Sequence, residues 1–427
     1  MSVEFETVEP APSPATGSRR RAALMAYLAA MGPGLVVMLA DTDAGSLITA
    51  AQSGAQWGYA LLSAQIILIP IVYMVQELTI RLGVVTGKGH GELIEAHFGR
   101  GWAWLSVSTL LIACTGAIIC EMSGVAGVGL MWGIPMWVSC GAVTAFLLIV
   151  AVTGSYLRVE RVAIAVGLFE LVFLVTMVMS APQPAQVMAG LATFPIDNSN
   201  YLFLVAANIG AVVMPWMIFY QQSAVVDKGL GIANIKGSRW DTAIGSVVTQ
   251  LVMIAMLVTT AATLWANHEG GVDLNTVEQI SDAITPHLGV DAGRILFSMG
   301  MVGAALVAAI VVSLTAAWGM GEVTGYRRSL GDGVKQAPWF YVVYVAVLAV
   351  GATVVMSGVN LIDINIFVQV VNALLLPIVL GFLVVLSQKA LPEPYRLKGR
   401  YAVVVWTVTV VMCALGVYSG IAGIFTS

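Results

Sequence analysis

Charge is scarce in this chain. Lys, Arg, Asp and Glu together make up 10% of its 427 residues, where a soluble domain carries about 25%. With 59% hydrophobic residues and a mean hydropathy of +0.91, that scarcity excludes a water-soluble globular protein. Cysteine is also rare. Cys114, Cys120, Cys140 and Cys413 all lie in apolar runs and form no C-x-x-C. They read as small core residues, which excludes a disulfide framework and a zinc site. Histidine is equally rare, and His90, His97, His268 and His287 all fall in predicted loops. With no histidine in an apolar run, no nucleophile–base pair or clustered His/Cys metal site is visible. The chain therefore reads as no enzyme, with no catalytic residues, no cofactor and no nucleic-acid partner. Residues 1–22 lack any apolar core and are rich in Pro, Ser, Thr and Glu. They read as a disordered cytoplasmic tail, not a signal peptide.

What the chain does have is long apolar runs. Runs of about 17 residues or more mark candidate spans. They fall near 24–56, 59–82, 102–131, 135–154, 161–181, 200–226, 241–266, 292–320, 338–358, 362–388 and 401–425. The expected fold is an all-α polytopic membrane protein of about eleven transmembrane helices. Basic residues orient it. With the tail of Arg19, Arg20 and Arg21 inside, the alternate loops hold every other Lys and Arg except Arg294. The N-terminus is then cytoplasmic and the C-terminus extracellular, in the cell membrane. The outer loop 267–291 carries Glu269, Asp273, Glu278, Asp282 and Asp291 with no Lys or Arg. It reads as a solvated loop; an acidic vestibule that concentrates cations is the sharper reading. The run Gly87-Lys-Gly-His-Gly91 follows no strand and is not a phosphate loop.

Two spans are long and interrupted, the first by Asp41-Thr-Asp-Ala-Gly-Ser46 and the sixth by Met214-Pro215. A carboxylate at mid-membrane costs about 2.5–3.5 kcal/mol or more, so Asp41 and Asp43 need a return. The interruptions are five spans apart, an odd number, so the two five-span units run in opposite directions. That is the pattern of inverted repeats whose unwound helices meet at a substrate site. A single transmembrane domain over 23–425 is expected, with repeat one at 23–181, repeat two at 200–388 and an extra span at 401–425. Freed carbonyls and the Asp43 carboxylate make a hard oxygen cage for a cation. Asp41 serves either beside that cage or as a cap for a half-helix starting near Leu47. Glu77 and Arg81, four residues apart at the end of span 2, read as a structural ion pair. Glu121 and Glu170 lie in apolar spans 3 and 5 and are candidates for a cavity-facing role or for structural pairing. Asn208 is placed to line the cavity or cap the broken sixth span.

Several stretches resemble the NRAMP family of divalent-metal transporters. They are Gly32-Pro-Gly34, Asp43-Ala-Gly45 and Ala55-Gln-Trp-Gly-Tyr59 in span 1, Gln76 to Lys88 in span 2 and its loop, and Gly210-Ala-Val-Val-Met-Pro215 in span 6. The resemblance implies a LeuT-like inverted repeat with broken helices 1 and 6. It implies Asp43 as the anionic metal ligand, with Ser46 standing where the family motif D-P-G-N has Asn. It implies a carbonyl at Ala211, a sulfur at Met214 and an approaching amide at Gln369, with Asn372 nearby. Glu121 matches a family carboxylate on the proton path. Two departures are large. Where the family has M-P-H and a second histidine, this chain has Trp216 and Gln221, neither of which takes up a proton near neutral pH. Ile118 stands where a further aspartate is expected.

Those losses resemble the NRAMP-related magnesium transporters. A thioether favours Mn²⁺ or Fe²⁺. Mg²⁺ gives up its water reluctantly, and a wider site with Asp43, Ser46, Gln369 and Gln222 suits a partly hydrated ion, Met214 then being a wall. The expected substrate is Mg²⁺ with Mn²⁺ also carried, without proton coupling, by a monomer in the lipid bilayer. A proton-coupled Mn²⁺/Fe²⁺ importer is the main alternative, and an amino-acid transporter of the same fold a minor one.

Overall fold

The computed structural model describes residues 32–152, 156–268, 271–328 and 332–426. The tail read over 1–22 and the start of span 1 at residue 24 lie outside them. Among the described residues the chain is helical throughout, with no strand. Nine helices among the described residues are each long and apolar enough to cross a bilayer, and a bent pair makes a tenth span. Met136–Val152, shorter but as apolar, takes the place of span 4. The eleven expected spans are therefore all present as helices.

Span 1 is the bent pair. Its halves, 1a (Pro33–Asp41) and 1b (Ala44–Trp57), meet at 46°. Span 6 is interrupted at Val213-Met214, between 6a (Ser199–Val212) and 6b (Pro215–Asp227). The cause is local chemistry. Pro215 cannot donate to the carbonyl of Ala211, and it pushes Met214 into extended backbone, at φ −89°, ψ 140°. Span 1 has no proline at its break. There Asp43 leaves the helix and caps the next one, its carboxylate accepting from Ser46 N at 2.6 Å. The cap of 1b is thus Asp43 rather than Asp41, and the half-helix starts at Ala44 rather than near Leu47.

Around these halves, spans 3 (Arg100–Met131), 7 (Ile235–Thr263), 8 (Val290–Thr324) and 10 (Leu361–Lys389) form the packed centre. Small residues set the spacing, as membrane helices require. A Cβ on Gly54 would sit 2.1 Å from the Leu257 carbonyl, so 1b lies backbone-close on span 7.

The basic loops gather on one face. Glu77 of span 2 (Leu62–Thr86) bridges Arg81 at 2.5 Å and Arg239 at 2.6 Å. Lys228 pairs with Glu160 at 2.9 Å, and Arg328 with Glu92 at 2.6 Å. The expected Glu77–Arg81 pair is present and gains a third member.

Three connections hold helices where loops were expected. His90–Phe98 and Pro184–Leu191 are short helices. The acidic segment folds into Val277–Leu288, started by a Thr276–Gln279 capping box. Its Glu278 and Asp282 are taken up by Arg294, while Asp273 turns inward and accepts from Gln52 Nε2 at 3.1 Å. Span 5 (Arg158–Met179) is also irregular, tightening to a 3₁₀ turn over Leu168–Leu171.

Candidate metal site at the crossing of the broken spans

The two breaks face each other. Ser46 Oγ, two residues into 1b, donates to the Ala211 carbonyl at 3.0 Å. That carbonyl is the one orphaned by Pro215. The hydroxyl satisfies one of its lone pairs and leaves the other.

Span 10 closes the third side. A Cβ on Gly45 would meet Gln369 Nε2 at 2.4 Å, and one on Gly210 would meet the Gln369 carbonyl at 1.8 Å. Glycine at both positions lets spans 1b and 6a touch span 10 directly. Asn372 Nδ2 donates to Gln369 Oε1 at 2.9 Å.

Span 3 closes the fourth. Glu121 Oε2 accepts from Ala44 N at 3.2 Å. The positive end of 1b therefore faces two carboxylates, Asp43 and Glu121, which the helix dipole favours.

Satisfaction is incomplete. Asn372 Oδ1 is buried without a hydrogen-bond partner, and the second oxygens of Asp43 and Glu121, with Gln369 Nε2, are buried facing only one another. A buried polar atom left unpaired costs about 1–3 kcal/mol, more if charged, and poorly satisfied groups converging from three spans make this crossing a candidate ligand site. The donor set is dominated by oxygen: two carboxylates, the Ala211 carbonyl, the Ser46 hydroxyl and amides.

Met214 stands at the break itself. Its sulfur accepts from Trp216 Nε1 at 3.1 Å. Trp216 is fully buried, and its indole nitrogen is a donor only,. The indole thus aims the positive end of an N–H bond at the thioether sulfur.

The remaining named residues lie elsewhere. Gln221 spans Thr79 of span 2 (3.1 Å) and Thr242 of span 7 (2.7 Å). Gln222 bonds His90 Nδ1 at 3.0 Å and the Lys88 carbonyl at 2.9 Å. The structure does not bring either glutamine to the breaks, so Gln222 is not part of a wider donor set there. Asp41 ends 1a and points to span 7, accepting from Thr249 Oγ1 at 3.4 Å. Asn208 neither lines the breaks nor caps 6a. It ties Ser53 (2.8 Å) and Gln65 (2.5 Å) to its own span.

His90 departs most from its expected place. It opens the helix after span 2, is fully buried, and stacks edge-on against Phe219 of 6b, with ring centroids 4.8 Å apart. Burial pulls its imidazole down to about 4. Its flanking glycines carried the available signal, since a Cβ on Gly89 would meet Glu322 Oε1 at 1.9 Å.

The Nramp family model, described as natural resistance-associated macrophage protein-like, matches residues 34–422. The chain belongs to the Nramp family. Among curated Nramp relatives, the divalent metal cation transporter MntH of Klebsiella pneumoniae (strain 342) is 29% identical over 309 residues, covering 70% of this chain and 73% of MntH. Among solved structures, the Eremococcus coleocola manganese transporter superposes with a TM-score of 0.75 at 19% identity, covering 97% of this chain and 90% of that one. MhsT in complex with L-phenylalanine shares the architecture with a TM-score of 0.59 at 13% identity, covering 92% and 98%. The LeuT-like inverted repeat with broken spans 1 and 6 is thus the fold of this Nramp chain.

Proposed function

We propose that this Nramp chain is a monomeric secondary transporter that takes up divalent cations by alternating access, Mg²⁺ with Mn²⁺ also carried, without coupling to protons. Asp43 supplies the charge, Ser46 and Ala211 supply oxygen, and Gln369 with Asn372 supplies amides from span 10. The N-terminus faces the cytoplasm and the C-terminus the outside of the cell membrane.

The observation that carries this reading is the Trp216–Met214 hydrogen bond of 3.1 Å. In a metal site a thioether is the feature that selects Mn²⁺ or Fe²⁺ over Mg²⁺. Here the indole N–H takes one lone pair of that sulfur and sets a positive end beside it, which opposes a cation there. The donors that remain are mostly hard oxygen, which suits Mg²⁺ and does not exclude Mn²⁺. Trp216 and Gln221 also occupy the two positions from which the resemblance expects histidines, and neither takes up a proton near neutral pH. His90 sits against 6b, but its partners are Gln222 and Phe219 rather than the breaks.

The second reading, a proton-coupled Mn²⁺/Fe²⁺ importer, draws on the manganese and divalent-metal names of the relatives and on Glu121 beside Ala44 N. An amino-acid substrate is disfavoured because the N-terminus of 1b, which would receive a substrate carboxylate, already faces Asp43 and Glu121.

Proteoliposome uptake decides. Mg²⁺, Mn²⁺ and Ca²⁺ entry is read with separate dyes and internal pH in parallel. Mg²⁺ entry without acidification is expected. Mn²⁺ entry with acidification and no Mg²⁺ entry would make the second reading correct.

A further inference from the structure

A second set of oxygens converges on the other side of the span-1 break. Asp41 and Thr42 close half-helix 1a and face spans 5 and 7. Thr42 Oγ1 lies 3.0 Å from Thr249 Oγ1 of span 7. Thr249 Oγ1 reaches Asp41 Oδ2 only at 3.4 Å, long for a hydroxyl bond. From span 5, Glu170 faces the Thr42 hydroxyl and interacts with the Asp41 and Asp43 charges. The 3₁₀ turn of Leu168–Leu171 puts it there, the kind of mid-span irregularity that accompanies functional positions.

Asp41 Oδ1 makes no hydrogen bond and Glu170 meets no donor but the Thr42 hydroxyl, although Asp41 is 2% and Glu170 0% exposed. No Lys, Arg or His among the described residues acts on either carboxyl. Two buried carboxyls held only by threonine hydroxyls cannot both stay charged in such a place without a counter-charge. All the donors are oxygen, which selects a hard cation, and a pair of carboxylates balances a double charge. The C-terminal end of 1a adds partial negative charge on the same side.

We propose that Asp41, Thr42, Glu170 and Thr249 form a second binding site for a hard divalent cation, separate from the one at Asp43. The two sites sit on opposite sides of one break. Asp43 and Ser46 look toward spans 3 and 6, and Asp41 and Thr42 look toward spans 5 and 7. A cation in the second site ties the end of 1a to spans 5 and 7.

The test counts bound ions. Detergent-purified full-length protein is dialysed to equilibrium against Mn²⁺, with free ion read by electron paramagnetic resonance. Two ions per chain are expected for the wild type, one for Glu170→Gln, one for Asp43→Ala and none for the double variant. One ion in both the wild type and Glu170→Gln, or two in both, would overturn the proposal; the first result would mean that Asp41 and Glu170 share a proton instead. Should Glu170→Gln fail to fold, Thr249→Val takes its place and is expected to weaken the second ion about tenfold or more. The count is taken at equilibrium and needs no flux, so it stands whichever way the uptake assay falls. Two ions retained in Asp43→Ala but one in Glu170→Gln would sink the Asp43 assignment and leave this site intact.

Discussion

Trp216 and Asp43 carry the sharpest consequences for single side chains. Trp216→Phe keeps an aromatic ring against Met214 and removes the N–H that occupies its sulfur. The thioether then loses its competing donor and is more available to a soft ion. Uptake of Mn²⁺ relative to Mg²⁺ is expected to rise, about tenfold if the sulfur contributes about 1.4 kcal/mol, as read by competitive flux in proteoliposomes. An unchanged ratio would mean that the sulfur never faces the ion. Asp43 has two tasks, capping 1b and offering Oδ2 to the cleft. Asparagine keeps the first task and loses the second, since both residues are good caps. Asp43→Asn is therefore expected to abolish uptake with an unchanged melting temperature. Asp43→Ala is expected to lose uptake and also about 0.5–2 kcal/mol of stability from the missing cap. Full flux in Asp43→Asn would remove this residue from the site.

At the scale of helices, the crossing depends on glycine. A Cβ on Gly210 would lie 1.8 Å from the Gln369 carbonyl, a backbone atom that has no rotamer to escape into. Gly210→Ala is expected to cost about 1–3 kcal/mol as an overpacked contact and to depress uptake by separating 6a from span 10. A melting curve and a flux measurement on the same preparation check both. The elements also show what a sequence can reveal. Spans were legible because bilayer thickness fixes the length of an apolar run, and Pro215 announced the second break by its missing N–H. The first break was located, but its cap was not. Asp41 and Asp43 are both good caps, and only the geometry shows which one turns back onto Ser46. The helix Val277–Leu288 was missed because its signal, Thr276 with Gln279, is a short polar pair inside an acidic stretch. His90 and Gln222 are far apart in the chain and meet only when span 2 returns against 6b, so no local pattern joins them. The same holds for the 3₁₀ turn that sets the direction of Glu170.

Across the whole molecule, the basic face is fastened by ion pairs and by a carboxylate at the start of span 1. Asp241 Oδ2 of span 7 accepts from Gly32 N at 3.0 Å and Gly34 N at 2.8 Å, holding the N-terminus of 1a. On the acidic face, a cleft of about 430 Å³ is lined by Gln52, Gln56, Asp273 and Asp363 among others. Two carboxylates at its rim fit a mouth that gathers cations, although the loop contributes only Asp273 to it. His90 is buried on the basic side, beside Gln222, Phe219 and the Glu322 carboxylate that holds Gly91 N at 2.7 Å. Its folded-state value of about 4 lies below the ordinary 6.5. The unfolded chain therefore binds the extra proton between those limits, and stability falls as pH drops from 6.5 toward 4. The melting temperature of His90→Gln, which cannot protonate, is expected to fall less over that window than that of the wild type. Parallel curves would show that His90 is already free to protonate in the folded protein.

Pro215 gives the site an odd genetics. Its missing N–H exposes the Ala211 carbonyl, a donor that belongs to the peptide chain and not to any side chain. Replacing Ala211 leaves that oxygen in place, so a scan that trims side chains one by one passes over it. Mutants selected for lost uptake would instead collect at Pro215, where any other residue restores an N–H and lets the helix reclaim the carbonyl.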